Sequence, residues 1–467
     1  MENLLVLSIA LAGGLLLSRL AKLAKLPAVT AYLITGILIG PYILGHLGEF
    51  LSTQFDIQYL KGIGFGNDTI NSSMHVEKFS VISDVALGFI AFSIGNEFRL
   101  PQLKKIGKQA TVIGIVQAII TTLVVDAALI GLHFAMGDKF PLPAAIILGA
   151  IATATAPAAT LMVVKQYKAK GPLTDILLPV VALDDAVGLV VFSISFGIAK
   201  AMIGGTPSIV SILVNPILEV VLSLALGAAM GYLFTFLEKF FHSRSKRLAM
   251  SVAFVLVTVA LSKISFVIPK TEIHIAFSSL LTCMMLGTIF CNVCDFSEEL
   301  MDRVDRWVAP ILVLFFVISG AELELSVFTS LSVVIVGLVY IASRSLGKYT
   351  GALLSAKATK CDEKIVKYLG ITLLPQAGVA LGMALTVGNT AGFEGDADIV
   401  RNITLFAVLI YELIGPMLTK ISLLRAGEIR PDGRSSAREA ARIHRQRHLQ
   451  MEAERARLEK EENAGVK

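Results

Sequence analysis

The chain has 467 residues, of which 55% are hydrophobic and only 16% are charged, and its mean hydropathy is +0.75. About a quarter of the residues in an average soluble protein are charged, so the composition excludes that class and indicates a chain embedded in lipid. The net charge of +5 comes without an aromatic-interleaved basic surface, which argues against nucleic-acid binding, and four cysteines are too few for a disulfide framework.

Apolar windows of about 20 residues predict transmembrane helices. The first run, Leu4–Leu17, has no basic stretch before it and no small-residue cleavage site after it, so we expect a span rather than a cleaved signal peptide. Thirteen spans are predicted, with approximate bounds 3–19, 28–45, 79–98, 110–135, 142–164, 173–199, 208–236, 247–266, 273–293, 305–325, 327–355, 365–387 and 400–424.

Lys and Arg concentrate in alternate loops between these spans, and cytoplasmic loops are the ones that carry this excess. The rich loops lie around 19–25, 99–108, 165–170, 239–247, 303–306 and 357–367. The bias predicts an outside N-terminus and a cytoplasmic C-terminus in a multi-pass protein of the cell (inner) membrane. The tail, 425–467, is rich in Arg and Glu and is expected to be a solvated helix; a regulatory or lipid-contacting helix is the alternative.

Two predicted spans carry interruptions. The fifth contains GAIATATAPAAT at 149–160, where Pro157 removes a backbone N–H and Thr153 and Thr155 offer hydroxyl oxygens to a cation. The twelfth contains LPQAGV at 374–379, with Pro375 and Gln376. These spans are seven apart and so cross the bilayer in opposite directions, which is the pattern of inverted repeats whose two discontinuous helices meet at the substrate site.

Asp184 and Asp185 lie side by side within the apolar sixth span. Burying one carboxylate at the middle of the bilayer costs roughly 2.5–3.5 kcal/mol on insertion scales. Acids at that depth therefore usually face an ion path or a partner. Neighbouring helical residues point about 100° apart. We therefore expect one aspartate to face the crossing and the other to face an adjacent helix.

Arg344 in the eleventh span lies deep enough to need a carboxylate, and we expect it to be the charge partner of Asp184. Another acid, or carbonyl groups at helix ends, are the other possible partners of this arginine. Lys348, one turn further on, is expected to snorkel to the cytoplasmic face.

Five segments in this order resemble the monovalent cation:proton antiporter superfamily, and within it the sodium/proton exchangers with paired aspartates and thirteen spans. The segments are LPAVTAYLITGILIGP, TATAPAAT, ALDDAVG, GAELEL and LPQAGVALGMAL. The likeness covers about residues 1–424. It implies an all-α membrane fold with inverted repeats and two crossing discontinuous helices.

The resemblance also implies roles for individual residues. Asp185 would coordinate the cation, Asp184 would pair with Arg344, and Thr155 would contribute near the site. Arg344 stands where many relatives have lysine; because arginine keeps its proton, proton carriage would rest on the two carboxylates. Gln376 stands where the family often has a basic residue. Thr153, Pro157, Pro375 and Gln376 are expected to line the crossing.

The resemblance further implies a homodimer. Residues 1–98 and 247–325 would form the dimerisation helices, 110–199 and 327–424 the moving core, and 208–236 a linker helix. No cofactor is expected, only the transported Na⁺, Li⁺ or K⁺ and H⁺.

Cation and proton are expected to compete for binding at Asp185 and also at Asp184, and only a neutralised carboxylate is expected to cross the barrier during alternating access. Hard oxygen ligands suit Na⁺, Li⁺ or K⁺. Na⁺/H⁺ exchange is the expected activity, and K⁺/H⁺ exchange is the nearest alternative. A cation channel would need a filter loop that the sequence lacks, and an intramembrane aspartyl protease would place its two acids on separate helices. Four further membrane acids are expected to have structural roles rather than to join a proton path: Asp84, Asp126, Glu219 and Glu412.

Overall fold

The computed structural model describes residues 2–23, 26–96, 98–137, 140–203, 214–241, 243–267, 274–294, 297–323, 330–388 and 393–429. These ranges are almost entirely α-helical. The helices are α1 (Glu2–Leu23), α2 (Ala28–Ile39), α3 (His46–Phe55), α4 (Ser80–Asn96), α5 (Leu100–Met136), α6 (Leu142–Ile151), α7 (Pro157–Tyr167), α8 (Pro172–Met202), α9 (Asn215–Glu238), α10 (Arg244–Ser262), α11 (Ser279–Val293), α12 (Ser297–Ala321), α13 (Leu331–Ala358), α14 (Glu363–Thr372), α15 (Gly378–Gly388) and α16 (Glu394–Ala426).

The predicted membrane segments are confirmed as helices. Within the described ranges, ten helical stretches are long and apolar enough to cross a membrane. The other three predicted spans correspond to α11 and to two interrupted helices, α6–α7 and α14–α15. The start of the seventh predicted span, at 208–213, and the tail from 430 to 467 lie outside the described residues. The chain is an integral, multi-pass membrane protein.

Little of the described chain lies outside these helices. The loop at 46–78, between the second and third predicted spans, contains α3 and short 3₁₀ turns, the first of them at Gln58–Ile63. Asn71 organises this loop, because its side-chain amide donates to the carbonyls of Lys61 (2.8 Å) and Gly64 (3.1 Å). The two-residue strands β1 (Phe266–Val267) and β2 (His274–Ile275) pair antiparallel between α10 and α11.

The helices pack into two groups. The panel group comprises α1, α2, α4, α10, α11 and α12, with α9 against α11. Glycines allow its helices to approach closely: the carbonyl of Leu33 in α2 lies so near Gly320 in α12 that a Cβ there would overlap it. An aromatic cluster fills this group, with Phe234 stacked between Phe254 (5.0 Å) and Phe290 (4.6 Å).

The crossing group comprises α5–α8 and α13–α16. The same order occurs twice within it: a long helix (α5 or α13), an interrupted helix (α6–α7 or α14–α15), and a second long helix (α8 or α16). Its core contains buried residues from both halves, including Leu148, Tyr340 and Ala407. This arrangement agrees with the inverted-repeat architecture that the two interruptions predict.

Candidate functional site

The two interrupted helices meet where their backbones unwind. The first is open between Ile151 and Pro157, and the second between Thr372 and Gly378. The backbone N–H of Ala156 donates to the carbonyl of Pro375 at 2.8 Å, which joins the two openings directly. The predicted crossing of two discontinuous helices is therefore confirmed, and Pro157 and Pro375 lie at it.

Arg344 binds the carbonyl ends of the half-helices. Its guanidinium donates to the carbonyls of Ala152 (2.9 Å), Ala154 (2.6 Å) and Leu374 (2.7 Å), and the side chain is fully buried. The guanidinium also lies 4.5 Å from the ring centre of Tyr411. A fixed positive charge here offsets the partial negative charge at the C-terminal ends of α6 and α14.

The expected Asp184–Arg344 ion pair is wrong. Asp184 pairs instead with Lys348, whose Nζ lies 2.9 Å from Oδ2. The same Nζ donates to the carbonyl of Thr153 at 2.6 Å and to Oγ1 of Thr155 at 2.9 Å. Both charged side chains are fully buried. Removing either one would therefore leave the other as a buried charge without a counter-charge, which is strongly destabilising.

Lys348 does not snorkel to the membrane surface, because glycines on its helix let α13 press against α5. A Cβ at Gly347 would lie 2.8 Å from the Cα of Thr121, and one at Gly351 would lie 2.9 Å from the Cα of Gln117. This small-xxx-small spacing permits close helix contact. The eleventh span thus supplies a lysine to the site. The expectation that the two carboxylates alone carry protons assumed that Arg344 stood in place of this lysine, and that assumption is wrong.

Asp184 accepts hydrogen bonds on both oxygens. Oδ2 accepts from Oγ1 of Thr155 at 2.7 Å as well as from Lys348, and Oδ1 accepts from the amide nitrogen of Gln117. Gln117 was missed by the sequence reasoning. The signal available for it was a single polar residue within an otherwise apolar stretch of the fourth predicted span.

Asp185 has very different surroundings. Its side chain is 3% exposed, and neither carboxylate oxygen has a hydrogen-bond partner within the described part of the chain. One turn further along α8, a Cβ at Gly188 would lie 2.9 Å from Oγ1 of Thr153, so this stretch of α8 runs against the unwound segment of the fifth span. Asp185 is thus a buried carboxylate without a hydrogen-bond partner among the described residues.

The remaining predicted site residues also lie at the crossing. Gln376 is fully buried and donates from its amide nitrogen to the carbonyl of Ile151 and to the hydroxyl of Tyr340, both at 3.0 Å. The Thr153 hydroxyl donates to the carbonyl of Ala150 at 2.7 Å. Thr155 lies closest to the ion pair, since its hydroxyl joins Asp184 to Lys348.

The other membrane acids lie on four different helices, α4, α5, α9 and α16. Asp84 pairs with Lys263 at 2.7 Å between α4 and α10. Asp126 lies against Gly149 of α6, and its Oδ1 finds no partner among the residues that the structure covers. Glu219 is on α9, and Glu412 is buried on α16. Over the same residues, no group of three or more His, Cys, Asp or Glu side chains could hold a metal ion.

Comparison with known proteins agrees with this geometry. The sequence model of the family "Sodium/hydrogen exchanger, transmembrane" matches residues 6–424. Among curated proteins, the high-affinity Na⁺/H⁺ antiporter NhaS3 of Synechocystis is 25% identical over 315 residues, which is 65% of this chain and 64% of that protein. The K⁺/H⁺ antiporter subunit KhtU of Bacillus subtilis is 22% identical over 72% of this chain and 77% of its own.

The fold is also similar to solved structures. The sodium proton antiporter MjNhaP1 from Methanocaldococcus jannaschii, at pH 8, superposes with a TM-score of 0.62 and 20% identity over 91% of this chain and 99% of that one. The family match covers nearly all of the membrane part described above. The chain belongs to the transmembrane sodium/hydrogen exchangers, which are antiporters and not enzymes.

Proposed function

We propose that this chain exchanges Na⁺ for H⁺ across the membrane and that Asp185 is the carboxylate at which the two ions compete. The observation that carries the proposal is the contrast between the adjacent acids. Asp184 has a buried counter-charge in Lys348, whereas both oxygens of Asp185 are buried and have no partner in the described residues. An isolated buried charge is unfavourable, so Asp185 favours a bound proton or a bound cation.

Competition at one carboxylate couples the two ions. A protonated Asp185 offers no charge to a metal ion, and an Asp185 holding a cation has no free charge for a proton. Either form is close to neutral and can pass the apolar barrier, while the empty carboxylate cannot. Thr153 and Thr155 are the hydroxyl groups that we propose as neighbouring oxygen ligands, and Pro157, Pro375 and Gln376 shape the crossing around them.

Alternating access requires one part of the protein to move against another. We propose that the crossing group, within 110–199 and 327–424, is the moving core, that the helices within 1–98 and 247–325 form a homodimer scaffold, and that 208–236 links the two. Packing of the helices into two groups supports this division. The basic loops support a cytoplasmic C-terminus, and we propose the cell membrane as its location.

K⁺ is the second candidate for the exchanged cation, since one relative is named a K⁺/H⁺ antiporter subunit. Oxygen ligands accept either ion. A cation panel in proteoliposomes decides between them: the protein is reconstituted with a pH-sensitive dye inside, and Na⁺, Li⁺ or K⁺ is added with the membrane voltage clamped or free.

Asp185→Asn tests the central residue. Asparagine keeps the shape but cannot carry the charge that alternates between ions, so we expect exchange to fall to the level of empty vesicles while the protein still inserts. Asp84→Asn is the matched control, because Asp84 is outside the crossing, and it should retain exchange. Near-normal exchange by Asp185→Asn would remove Asp185 from the mechanism.

A further inference from the structure

Gln117 is a fully buried amide on α5, in a window that is otherwise apolar from Ile113 to Ile120. Its backbone is fixed on one side by the close contact with Gly351 of α13. On the other side its side chain reaches the carboxylate of Asp184 on α8. A buried polar side chain at the junction of three helices requires hydrogen-bond partners.

The partners of Gln117 determine which way its amide points. The nitrogen donates to Asp184 Oδ1 and also to the carbonyl of Gly114 at 3.1 Å. Both neighbours are acceptors, so the reverse orientation would set the amide oxygen against a carboxylate and a carbonyl. The oxygen therefore points away, and it has no donor among the described residues.

Gln117 is one of three residues that donate hydrogen bonds to the carboxylate of Asp184. Thr155 and Lys348 both bind Oδ2, which leaves Gln117 as the donor recorded for Oδ1 in the described chain. Without this donor, Oδ1 would be a buried oxygen as unsatisfied as those of Asp185. Asp184 would then be held through Oδ2 alone and would be less firmly fixed in its pair with Lys348.

We propose that Gln117 is a positioning residue for ion exchange: it holds Asp184 in the charged pair with Lys348 and so leaves Asp185 as the carboxylate that exchanges ions. The proposal rests on the function proposed above. It predicts that Gln117 sets the pH range of exchange without binding the cation directly.

Gln117→Leu removes the donor and keeps the approximate volume. A carboxylate that has lost a donor takes up a proton more readily, so the acid limb of the exchange-versus-pH curve should move to higher pH by about one unit. At alkaline pH the apparent cation KM should stay within about twofold of the wild-type value. Thr122→Val is the matched control, because the hydrogen bond recorded for the Thr122 hydroxyl within the described residues goes to the carbonyl of Ala118 on its own helix. The pH curve of this variant should be unchanged.

Gln117→Glu gives an opposite prediction and retains the shape of the native side chain. A protonated glutamate can donate to Asp184, but an ionised one repels it, so exchange should be retained at acid pH and lost as pH rises. Both variants are read in proteoliposomes, alongside thermal unfolding in detergent. A purely structural Gln117 would lower the unfolding temperature and leave both pH curves in place, and that result overturns the proposal. Absence of exchange by the wild-type protein would refute the proposed function instead.

Discussion

Two chemically identical residues, Asp184 and Asp185, differ in surroundings because a helix turns about 100° between them. One rotation places Asp184 among Gln117, Thr155 and Lys348, and the next leaves Asp185 without a partner in the described residues. A single side chain could not both hold a permanent ion pair and release its charge to a passing ion. In the proposed mechanism, the adjacent pair separates these tasks at the same depth in the membrane.

The Asp184–Lys348 pair can be tested by removing one member and then both. Lys348→Met leaves a buried carboxylate without its counter-charge, which we expect to lower the free energy of unfolding by about 3–5 kcal/mol. Adding Asp184→Asn to that variant should recover much of the loss. Thermal unfolding in detergent gives the comparison. Additive losses in the double variant would show that the two charges do not depend on each other.

Sequence reasoning found the acids but assigned the wrong base. Arg344 and Lys348 are four residues apart and therefore share one face of α13, so their spacing cannot say which of them meets Asp184. The carbonyls of Ala152, Ala154 and Leu374 decide it, because they bind Arg344. These acceptors exist only after two distant helices have unwound and met, and no local pattern in α13 reports them.

At the scale of elements, the close contact between α13 and α5 brings Lys348 and Gln117 together beside Asp184 of α8. Gly351→Ala would place a methyl group 2.9 Å from the Cα of Gln117, so the helices must separate by some tenths of an ångström. We expect both slower exchange and a lower unfolding temperature. Gly131→Ala is the control on α5: a Cβ there meets nothing within 4 Å, and alanine is the better helix former. Equal behaviour of the two variants would contradict this role for Gly351.

Glu428, just beyond α16, caps the helix that carries the two aspartates. Its carboxylate accepts from the backbone N–H groups of Leu173 (2.6 Å) and Thr174 (2.8 Å) and from the Thr174 hydroxyl (2.5 Å). Gly171 leaves room for it, since a Cβ there would lie 2.5 Å from the Glu428 carboxyl carbon. An acid at a helix N-terminus is stabilising, and here the end of α16 supplies it to α8.

Glu428→Ala should therefore lower the free energy of unfolding by about 1–2 kcal/mol, because two N–H groups of α8 lose a charged acceptor. Glu428→Gln should lose less, as its amide oxygen still accepts one bond. Glu363→Gln provides the control, being an exposed acid in the first turn of α14. If Glu428→Ala and Glu363→Gln unfolded at the same temperature, the cap would be without energetic consequence.

Elements were easier to predict than contacts. The length of the apolar segments was enough to locate the membrane helices. In lipid, a helix is one of the few structures in which all backbone N–H and C=O groups are hydrogen-bonded. Pro157 and Pro375 marked the two interruptions for the same reason, since each removes a backbone donor. The cap from Glu428 was not predictable, because it joins residues more than 250 positions apart.

At the scale of the whole molecule, a small cleft lies between part of the crossing group and the panel group. It is lined by α4, α7 and α12 and extends from Ala158, next to the crossing, to Lys165 two turns along α7. There Lys165 pairs with Asp305 of α12 at 2.6 Å, and Ser93 of α4 donates to the same carboxylate at 3.3 Å. The pair thus joins the two groups at one end of the cleft.

If the groups move against each other during exchange, this pair must break and reform. Lys165→Asp should favour the separated arrangement, because two carboxylates would then face each other. The cleft is probed with Ala158→Cys in a Cys361→Ser background. With Lys165→Asp added, this cysteine should react several-fold faster with a water-soluble thiol reagent than in the protein that keeps Lys165. That factor corresponds to a shift of about 1 kcal/mol toward the separated arrangement. Adding Asp305→Lys restores opposite charges and should restore the slow reaction. Arg303→Ala breaks a pair within α12 alone and should not change it. A double charge reversal that stays fast would show that the two groups are held together by packing and not by these charges.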